Sequence, residues 1–359
     1  MEKLRVAIFG LAHPHAASLT KAFKALPDEV EILGYAEVGP YDDQTPEERH
    51  RNIGKHADGL KQYADWHELL ALNPDVAVVA TENSVCAQVS CEILSKGISV
   101  INEKPMAINY ADAKRMADTA KSNGANIITN WPVAWFPSFN YAKKLLDDGV
   151  IGKPMRVVYR SPATWGPFSY GKEGVIPPIE WLNKTWWYRK ECGGGSILDY
   201  ACYGTVLATH MFGKKALRVS GIAKQFGVVG TSVEDYSAMI LDFGDGVGLL
   251  EGSWSTYNPA EIPTGPVIYG TDGVIVCDRH SDVLKIYKGN THAPKPPAEV
   301  INCSEMNEFK GDLGRNIIDF MRGKAPLHPL LGTEINLAVC ATLDAGRRSA
   351  EQGITADVE

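Results

Sequence analysis

The chain has 359 residues, a formal net charge of −7, 45% apolar residues and 22% charged residues. This composition is typical of a folded protein, and the length favours two domains over one. The acidic balance and the absence of a Lys/Arg stripe exclude nucleic acid as an expected partner. No apolar run approaches the roughly 20 residues that span a bilayer, and the first residues lack a signal peptide pattern. A cytoplasmic protein without membrane contact is therefore expected.

The seven cysteines contain no CxxC pair and lie mostly in apolar stretches. Such positions favour buried, reduced thiols over a disulfide framework or a structural zinc site.

The sequence opens on a strand, a tight turn and a helix. Residues 4–9 form a short apolar run, and the turn Gly10-Leu11-Ala12-His13-Pro14-His15 precedes a segment with Ala16, Leu19 and Phe23 on one helical face. Pro14 suits a first helical turn, where its missing N–H costs nothing. The free amides of that turn would face an anion, so Gly10, Ala12, His13 and Pro14 are candidate cofactor-binding residues.

A second apolar strand, residues 31–36, ends at Glu37, which follows Gly10 by 27 positions. Rossmann domains place an acidic residue there to accept from the ribose hydroxyls, and its charge repels a 2′-phosphate. NAD is therefore favoured over NADP, although Arg49 and Arg51 in the following loop keep NADP open. The glycine fingerprint is degenerate, because Ala12 and His15 replace its second and third glycines.

Strands and helices continue to alternate up to residue 130. Strands are predicted at 75–80, 98–102 and 125–129, and helices at 84–95 and 110–122, the latter behind Asn109 as N-cap. This alternation predicts a parallel sheet, whose ligands bind beyond the carboxyl ends of its strands. The candidate cofactor-binding residues there are Gly10, Glu37, Thr81, Asn83, Glu103, Lys104 and Asn130.

The pattern changes after Pro154 to successive strands with hairpin turns at Asp245-Gly246 and Asp272-Gly273. The fold class is therefore an α/β Rossmann domain (1–130) followed by an α+β domain (131–359) with a large, open, mainly antiparallel sheet. The final helix is a candidate for packing back on the first domain. One face of such a sheet needs a partner, so a homodimer or homotetramer is expected.

Five ordered motifs resemble the Gfo/Idh/MocA family of oxidoreductases. They are Glu103-Lys104-Pro105, Asp148-Gly149-Val150-Ile151-Gly152-Lys153-Pro154, Gly193-Gly194-Gly195-Ser196-Ile197-Leu198-Asp199, Tyr269-Gly270-Thr271-Asp272-Gly273 and the last helix near Gly353. The resemblance covers essentially the whole chain. It implies hydride transfer between NAD(P) and a hydroxyl or carbonyl of a sugar, inositol or related ring.

The resemblance assigns catalysis to Lys104, since an ammonium can hold the reacting oxygen and pass its proton. It also suggests a cis Lys104-Pro105 bond. Family members usually carry a histidine four residues after the aspartate, where this chain has Tyr203 after Asp199. Some relatives carry tyrosine there, which places this chain in a tyrosine-containing subgroup. Asp199 and Tyr203 would share one face of a helix, as catalytic or substrate-binding residues.

Six of the eight tryptophans fall between Asn130 and Gly193. Flat apolar rings stack on sugar C–H faces, and as a set these tryptophans suggest a carbohydrate or aromatic site, although core packing or a subunit interface explains any single one better. The candidate substrate-binding residues are Lys104, Trp131, Trp135, Trp165, Trp187, Arg189, Asp199 and Tyr203.

His13, His15 and His210 raise the question of a metal, but no carboxylate or cysteine completes a ligand set at usable spacing, so none is predicted. The leading function is an NAD-dependent dehydrogenase of carbohydrate metabolism. Two alternatives stay open: an enzyme of the same fold that cleaves glycosides with tightly bound NAD, and a non-catalytic NAD or sugar sensor.

Overall fold

The computed structural model describes residues 2–39, 42–162, 178–256, 262–279, 281–289, 293, 295–306 and 312–359. The chain divides into two compact units. The first unit comprises Met1–Trp131, Asn183–Gly194 and Phe309–Leu337, and the second comprises Pro132–Leu182, Gly195–Glu308 and Ala338–Glu359. Among the described helices, none combines the length and the apolar character that crossing a bilayer requires.

The first unit contains a six-stranded sheet in which all paired strands are parallel. Its order is β3-β2-β1-β4-β5-β6, which confirms the predicted Rossmann sheet. Strands β4, β5 and β6 are buried at every position, as expected for a parallel sheet that is covered on both faces. They are β1 Leu4–Phe9, β2 Val30–Ala36, β3 Gln62–Tyr63, β4 Val76–Val79, β5 Ser99–Glu103 and β6 Ile127–Asn130.

Four of the described α-helices, α2, α3, α5 and α9, begin at a residue whose side chain accepts from a backbone amide of the first turn. The Asn109 side chain accepts from the Asp112 amide at the start of α5, and Thr45 and Glu48 form a capping box at α2. The helices are α1 His15–Lys24, α2 Pro46–His50, α3 Trp66–Leu70, α4 Asn83–Leu94, α5 Tyr110–Ser122, α6 Pro137–Asp147, α7 Ile179–Leu182, α8 Cys202–Phe212, α9 Leu313–Met321 and α10 Thr333–Gln352.

The second unit contains a nine-stranded sheet of order β14-β13-β12-β11-β7-β10-β9-β8-β15. Hairpin neighbours are antiparallel as predicted, but β7 and β10 pair in parallel, so the sheet is mixed. The strands are β7 Pro154–Pro162, β8 Arg218–Lys224, β9 Tyr236–Asp242, β10 Val247–Ser253, β11 Val267–Gly270, β12 Gly273–Cys277, β13 Val283–Lys288, β14 Glu299–Asn302 and β15 Thr355–Asp357.

Helix α8 lies directly on this sheet over β7 and β10. A methyl group at Gly204 would come within 2.9 Å of Leu250 and 3.2 Å of Tyr159. The missing side chain therefore allows the close approach of helix and sheet. This packing fixes the position of the chain segment that precedes α8, which carries Asp199.

Candidate active site

The turn after β1 requires glycine at its first position. Gly10 has a φ of +80°, and a Cβ there would lie 2.7 Å from the Thr81 side chain. Its amide donates to the carbonyl of Ala36 at 2.8 Å. The turn therefore passes closely between the ends of β2 and β4, as a dinucleotide-binding turn must.

The backbone carbonyl groups of the two residues after Gly10 accept hydrogen bonds from side chains. The Asn52 side-chain amide donates to Leu11 O at 2.7 Å and to Ala12 O at 3.2 Å, and the Trp186 indole donates to Ala12 O at 3.0 Å. Because these carbonyls are occupied, the conformation of the turn is defined even though Ala12 replaces a fingerprint glycine.

His13 is buried in this turn, and its tautomer follows from its contacts. Burial lowers the pKa of His13 well below its usual value, so the ring is neutral near pH 7. Its Nδ1 accepts from the His15 amide at 3.1 Å, which leaves the proton on Nε2. Among the described residues Nε2 has no hydrogen-bond partner, and the ring lies edge-on to Trp187 at 5.0 Å between ring centroids.

Glu103 ends β5 with both carboxylate oxygens occupied. Oε1 accepts from the Asn130 amide at 2.7 Å, and Oε2 lies 2.9 Å from His15 Nδ1. Burial would raise the pKa of Glu103, but the interaction with His15 and the two hydrogen bonds outweigh it and lower the pKa to about 2. The carboxylate is therefore ionised and immobile directly before Lys104.

Lys104 is 3% exposed and is the first residue after β5. The Lys104–Pro105 peptide bond is cis, as the resemblance suggested. The Asn102 side-chain amide donates to Glu103 O at 2.7 Å and to Met106 O at 2.9 Å, and so ties the two sides of this turn together. Lys104 therefore lies in a turn whose two ends are joined by hydrogen bonds from Asn102.

Glu37 lies at the carboxyl end of β2, and Arg49 lies behind it. Glu37 Oε1 accepts from the amides of Leu11 at 3.1 Å and Val38 at 2.9 Å, and Arg49 Nη1 is 3.5 Å away. Arg49 Nη2 also contacts Asp42 at 2.7 Å and Glu82 at 2.5 Å. One buried guanidinium thus faces three carboxylates. Burial raises the pKa of Glu37 and of Glu82, and the Arg49 charge opposes this.

Thr81 and Asn83 follow β4, where the parallel sheet was expected to place ligand-binding residues. Both are buried, and the Asn83 side chain donates to Gly193 O at 2.8 Å. Gly193 has a φ of +76°, and a Cβ there would lie 2.8 Å from Asn83. The first glycine of the Gly193-Gly194-Gly195 run is therefore needed for this contact.

The candidate tryptophans have different environments. Trp131 is fully buried and donates to Asn336 at 2.8 Å, and Trp187 is 6% exposed and stacks on Trp186 at 3.8 Å. This burial favours packing over the predicted sugar contact. Trp135 is half-buried in the second unit, and Trp165 lies outside the described residues. Arg189 pairs with Glu191 at 2.8 Å.

Asp199 and Tyr203 lie in the second unit at the start of α8. Asp199 belongs to a π-helical turn, Ile197–Ala201, whereas Tyr203 lies in the α-helix itself. The buried Asp199 carboxylate accepts from the Trp254 indole at 2.9 Å, and Tyr203 contacts Tyr200 edge-on at 6.1 Å. Isolated π-turns of this kind occur frequently at functional sites.

The expectation that no carboxylate accompanies the histidines was wrong. Glu103, which is 88 residues from His15 in sequence, lies beside both His13 and His15, and their ligand-type atoms are within 4.8 Å of one another. His210 is not part of this group. Within this group, His13 Nδ1 accepts from the His15 amide, and His15 Nδ1 lies within hydrogen-bond distance of Glu103 Oε2.

Two family models match this chain. The model described as "Oxidoreductase family, NAD-binding Rossmann fold" matches residues 4–130, and the "GFO/IDH/MocA C-terminal domain" model matches residues 139–276. The chain belongs to the Gfo/Idh/MocA family.

Several members of the Gfo/Idh/MocA family are similar to this chain. A trans-1,2-dihydrobenzene-1,2-diol dehydrogenase from Mus musculus is 23% identical over 75% of this chain and 70% of its own length. A myo-inositol 2-dehydrogenase from Thermotoga maritima is 24% identical over 58% of each chain. The structure of levoglucosan dehydrogenase with NADH and levoglucosan superposes with a TM-score of 0.75 at 19% identity, over 99% of this chain and 100% of that one.

This member of the Gfo/Idh/MocA family uses residues that its motifs did not reveal. No sequence pattern pointed to Asn52 or Trp254, and Trp186 was noted only as one of the six clustered tryptophans, because the bonds of these residues to Ala12 and Asp199 join segments far apart in the chain. A weak signal existed for Arg49, which was noted in the loop after Glu37 but as a phosphate ligand.

Proposed function

We propose that this chain is an NAD-dependent dehydrogenase that transfers hydride between nicotinamide and a hydroxyl or carbonyl of a sugar, sugar derivative or polyol. One observation carries the proposal: the buried Lys104 follows a carboxylate that Asn130 and His15 immobilise. A lysine side chain that binds one substrate oxygen and exchanges a proton with it must have a fixed position. A cytoplasmic location and a place in carbohydrate metabolism are parts of the same proposal.

The residues of the first unit fit a dinucleotide. The Gly10 turn is a cradle that a Cβ would fill, and the Glu37 side chain keeps 27% exposure at the end of β2. Bound NAD supplies a two-electron acceptor for a hydride. In the proposed oxidation, the neutral Lys104 amine accepts the proton of the substrate hydroxyl as the hydride leaves the carbon, and in the reverse reduction the Lys104 ammonium returns that proton to the carbonyl oxygen. Asp199 and Tyr203 have the substrate-directed roles that the family resemblance implies.

The charges around Glu37 favour NAD over NADP. Arg49 is 1% exposed and already faces Glu37, Asp42 and Glu82, so these four groups carry a net negative charge. A ribose 2′-hydroxyl can donate to Glu37, whereas a 2′-phosphate would be repelled. Arg51, the other arginine that was considered as a ligand of the NADP phosphate, is exposed.

The test is a steady-state absorbance assay at the NADH band with NAD and with NADP, over monosaccharides, disaccharides, inositols, cyclic diols and sugar acids. Turnover is expected with one of these classes, and with kcat/KM at least about 10-fold higher for NAD than for NADP. An equal or higher value with NADP would contradict the cofactor proposal.

If NAD binds by calorimetry and the whole panel is silent, the dehydrogenase proposal fails. Aryl glycosides are therefore included as substrates. Release of the aryl group without net NADH would identify the glycoside-cleaving alternative, in which the sugar is oxidised only transiently.

The outer face of the nine-stranded sheet supports a homo-oligomer, either a dimer or a tetramer. Ile222 and Ile240 are 54% and 52% exposed on β8 and β9, beside Ile354 at 49%. An isologous contact would bury this apolar face against its copy. Ile240→Glu is expected to lower the mass measured by light scattering to that of a monomer, and Ile240→Val to leave it unchanged. A monomeric wild-type protein at micromolar concentration would contradict the proposal.

A further inference from the structure

The π-helical turn that carries Asp199 is fixed at its beginning by Glu234. The Glu234 carboxylate accepts from the Ile197 amide at 2.9 Å, and its backbone carbonyl accepts from the Ser196 amide at 3.0 Å. Gly195 has a φ of +105°, and a Cβ there would lie 2.6 Å from the Glu234 carboxylate. Glycine is therefore required at position 195, where the backbone approaches the Glu234 carboxylate. The two hydrogen bonds to Glu234 fix the start of the π-helical turn.

The same turn is fixed at its end by strand β10. A Cβ at Gly252 would lie 2.5 Å from the Ala201 amide nitrogen, so strand and turn are in direct backbone contact. Two residues further on, the Trp254 amide donates to Asp235 O at 2.8 Å. The Asp235 side chain in turn accepts from the amides of Phe226 and Gly227 at 2.7 and 2.5 Å. Trp254 therefore leaves β10 in a fixed direction.

The Trp254 ring is fully buried, and its Nε1 donates to Asp199 Oδ2 at 2.9 Å. A carboxylate that is 6% exposed needs hydrogen-bond donors to stay in place, and the Trp254 indole is one of them. An indole N–H donates at every pH and never accepts, so it can bond only to an acceptor atom and adds no charge of its own. Histidine or lysine in its place would add a titrating group.

We propose that Trp254 is the positioning residue for Asp199, acting through the indole–carboxylate hydrogen bond. This inference rests on the proposed function, in which Asp199 serves the reaction. Trp254 does not itself contact the substrate in this proposal. It holds the carboxylate in the one orientation that the proposed reaction uses, and its loss would allow the carboxylate to rotate.

The kinetic test is a double-mutant cycle on the full-length protein with the substrate found by the assay above. Trp254→Phe keeps an aromatic ring and removes the N–H, and Asp199→Asn removes the charge. We expect Trp254→Phe to lower kcat about 10- to 100-fold, with the Kd for NAD within about twofold. In the Asp199→Asn background the same change should lower kcat by at most about twofold. An equal factor in both backgrounds would mean general structural damage and would overturn the proposal.

A second readout does not depend on activity. In a ¹⁵N spectrum of the indole groups, the Trp254 signal is the one that Trp254→Phe removes, and Asp199→Asn should move it. Trp131 is the matched control, because its indole donates to Asn336 and its signal should stay in place. If Trp254→Phe does not fold, the indole signals are assigned sequentially in the wild-type protein, and the comparison of wild type with Asp199→Asn decides alone. An unmoved spectrum would overturn the proposal, whereas a moved signal without turnover of any substrate would count against the proposed function only.

Discussion

Replacement of Lys104 by alanine is expected to lower kcat/KM for the substrate by at least about 10³-fold while NAD still binds. Positioned proton transfer contributes roughly 10²- to 10⁴-fold, and removal of this group also removes the donor that holds the reacting oxygen. The neighbouring Glu103 keeps its bonds to Asn130 and His15, so the cofactor-facing end of β5 should remain intact. Initial rates at the NADH band and calorimetry with NAD measure the two effects separately.

Lys114→Ala is the matched control for this change. Lys114 lies on α5 in the same unit, is exposed and pairs with Asp118, so its loss should leave the rate and NAD binding unchanged. Lys104→Arg keeps the charge but cannot release a proton near neutral pH, and it should be nearly as inactive as the alanine variant. A Lys104→Ala enzyme that retains more than about a tenth of the wild-type kcat/KM would remove Lys104 from the proton-transfer role.

Much of the fold could be predicted because it depends on local signals. The apolar run 4–9 and the capped helix 110–122 have the same bounds in the structure, and the buried strands of the parallel sheet lie within two residues of their predicted bounds. The parallel pairing of β7 with β10 could not be predicted, because residues 154–162 and 247–253 are far apart in the chain. Hairpin signals reveal only neighbours in sequence.

The site could be predicted in part for the same reason. Glu103 and Lys104 were found because they end a strand, where a parallel sheet collects its functional residues. Their environment was not predictable. The contact of Glu103 with His15 spans 88 residues, and the bond from Trp254 to Asp199 spans 55. The π-turn at Asp199 also escaped prediction, since the spacing to Tyr203 fits an ordinary helix equally well.

Loss of the Arg49 side chain should strongly lower the stability of the fold. Its guanidinium is 1% exposed and faces Asp42 and Glu82, which are also buried, together with Glu37. Arg49→Met fills much of the volume but leaves three carboxylates without their cation. Removal of one partner from a buried ion pair costs about 3–5 kcal/mol of unfolding free energy, which urea denaturation monitored by tryptophan fluorescence would measure.

The loss caused by Arg49→Met should depend on pH in a defined direction. Burial already raises the pKa of Glu37 and Glu82, and removal of the Arg49 charge that opposes this should raise both further. A carboxyl group with a raised pKa in the folded protein contributes stability below its unfolded pKa, about 4.3, and loses that contribution as pH rises through its folded pKa. The deficit of Arg49→Met relative to wild type should therefore be greatest near pH 7 and shrink towards pH 5.

Arg49→Met/Glu82→Gln tests the electrostatic origin of this effect. Because it removes one of the uncompensated charges and keeps the side-chain volume, the double variant should recover part of the lost stability at pH 7 and show a weaker pH dependence than Arg49→Met. A deficit that is the same at pH 5 and pH 7, and the same in both variants, would mean that Arg49 acts only by filling space. In that case the net negative charge assigned to the group around Glu37 would lose its support, and with it the electrostatic reason for preferring NAD.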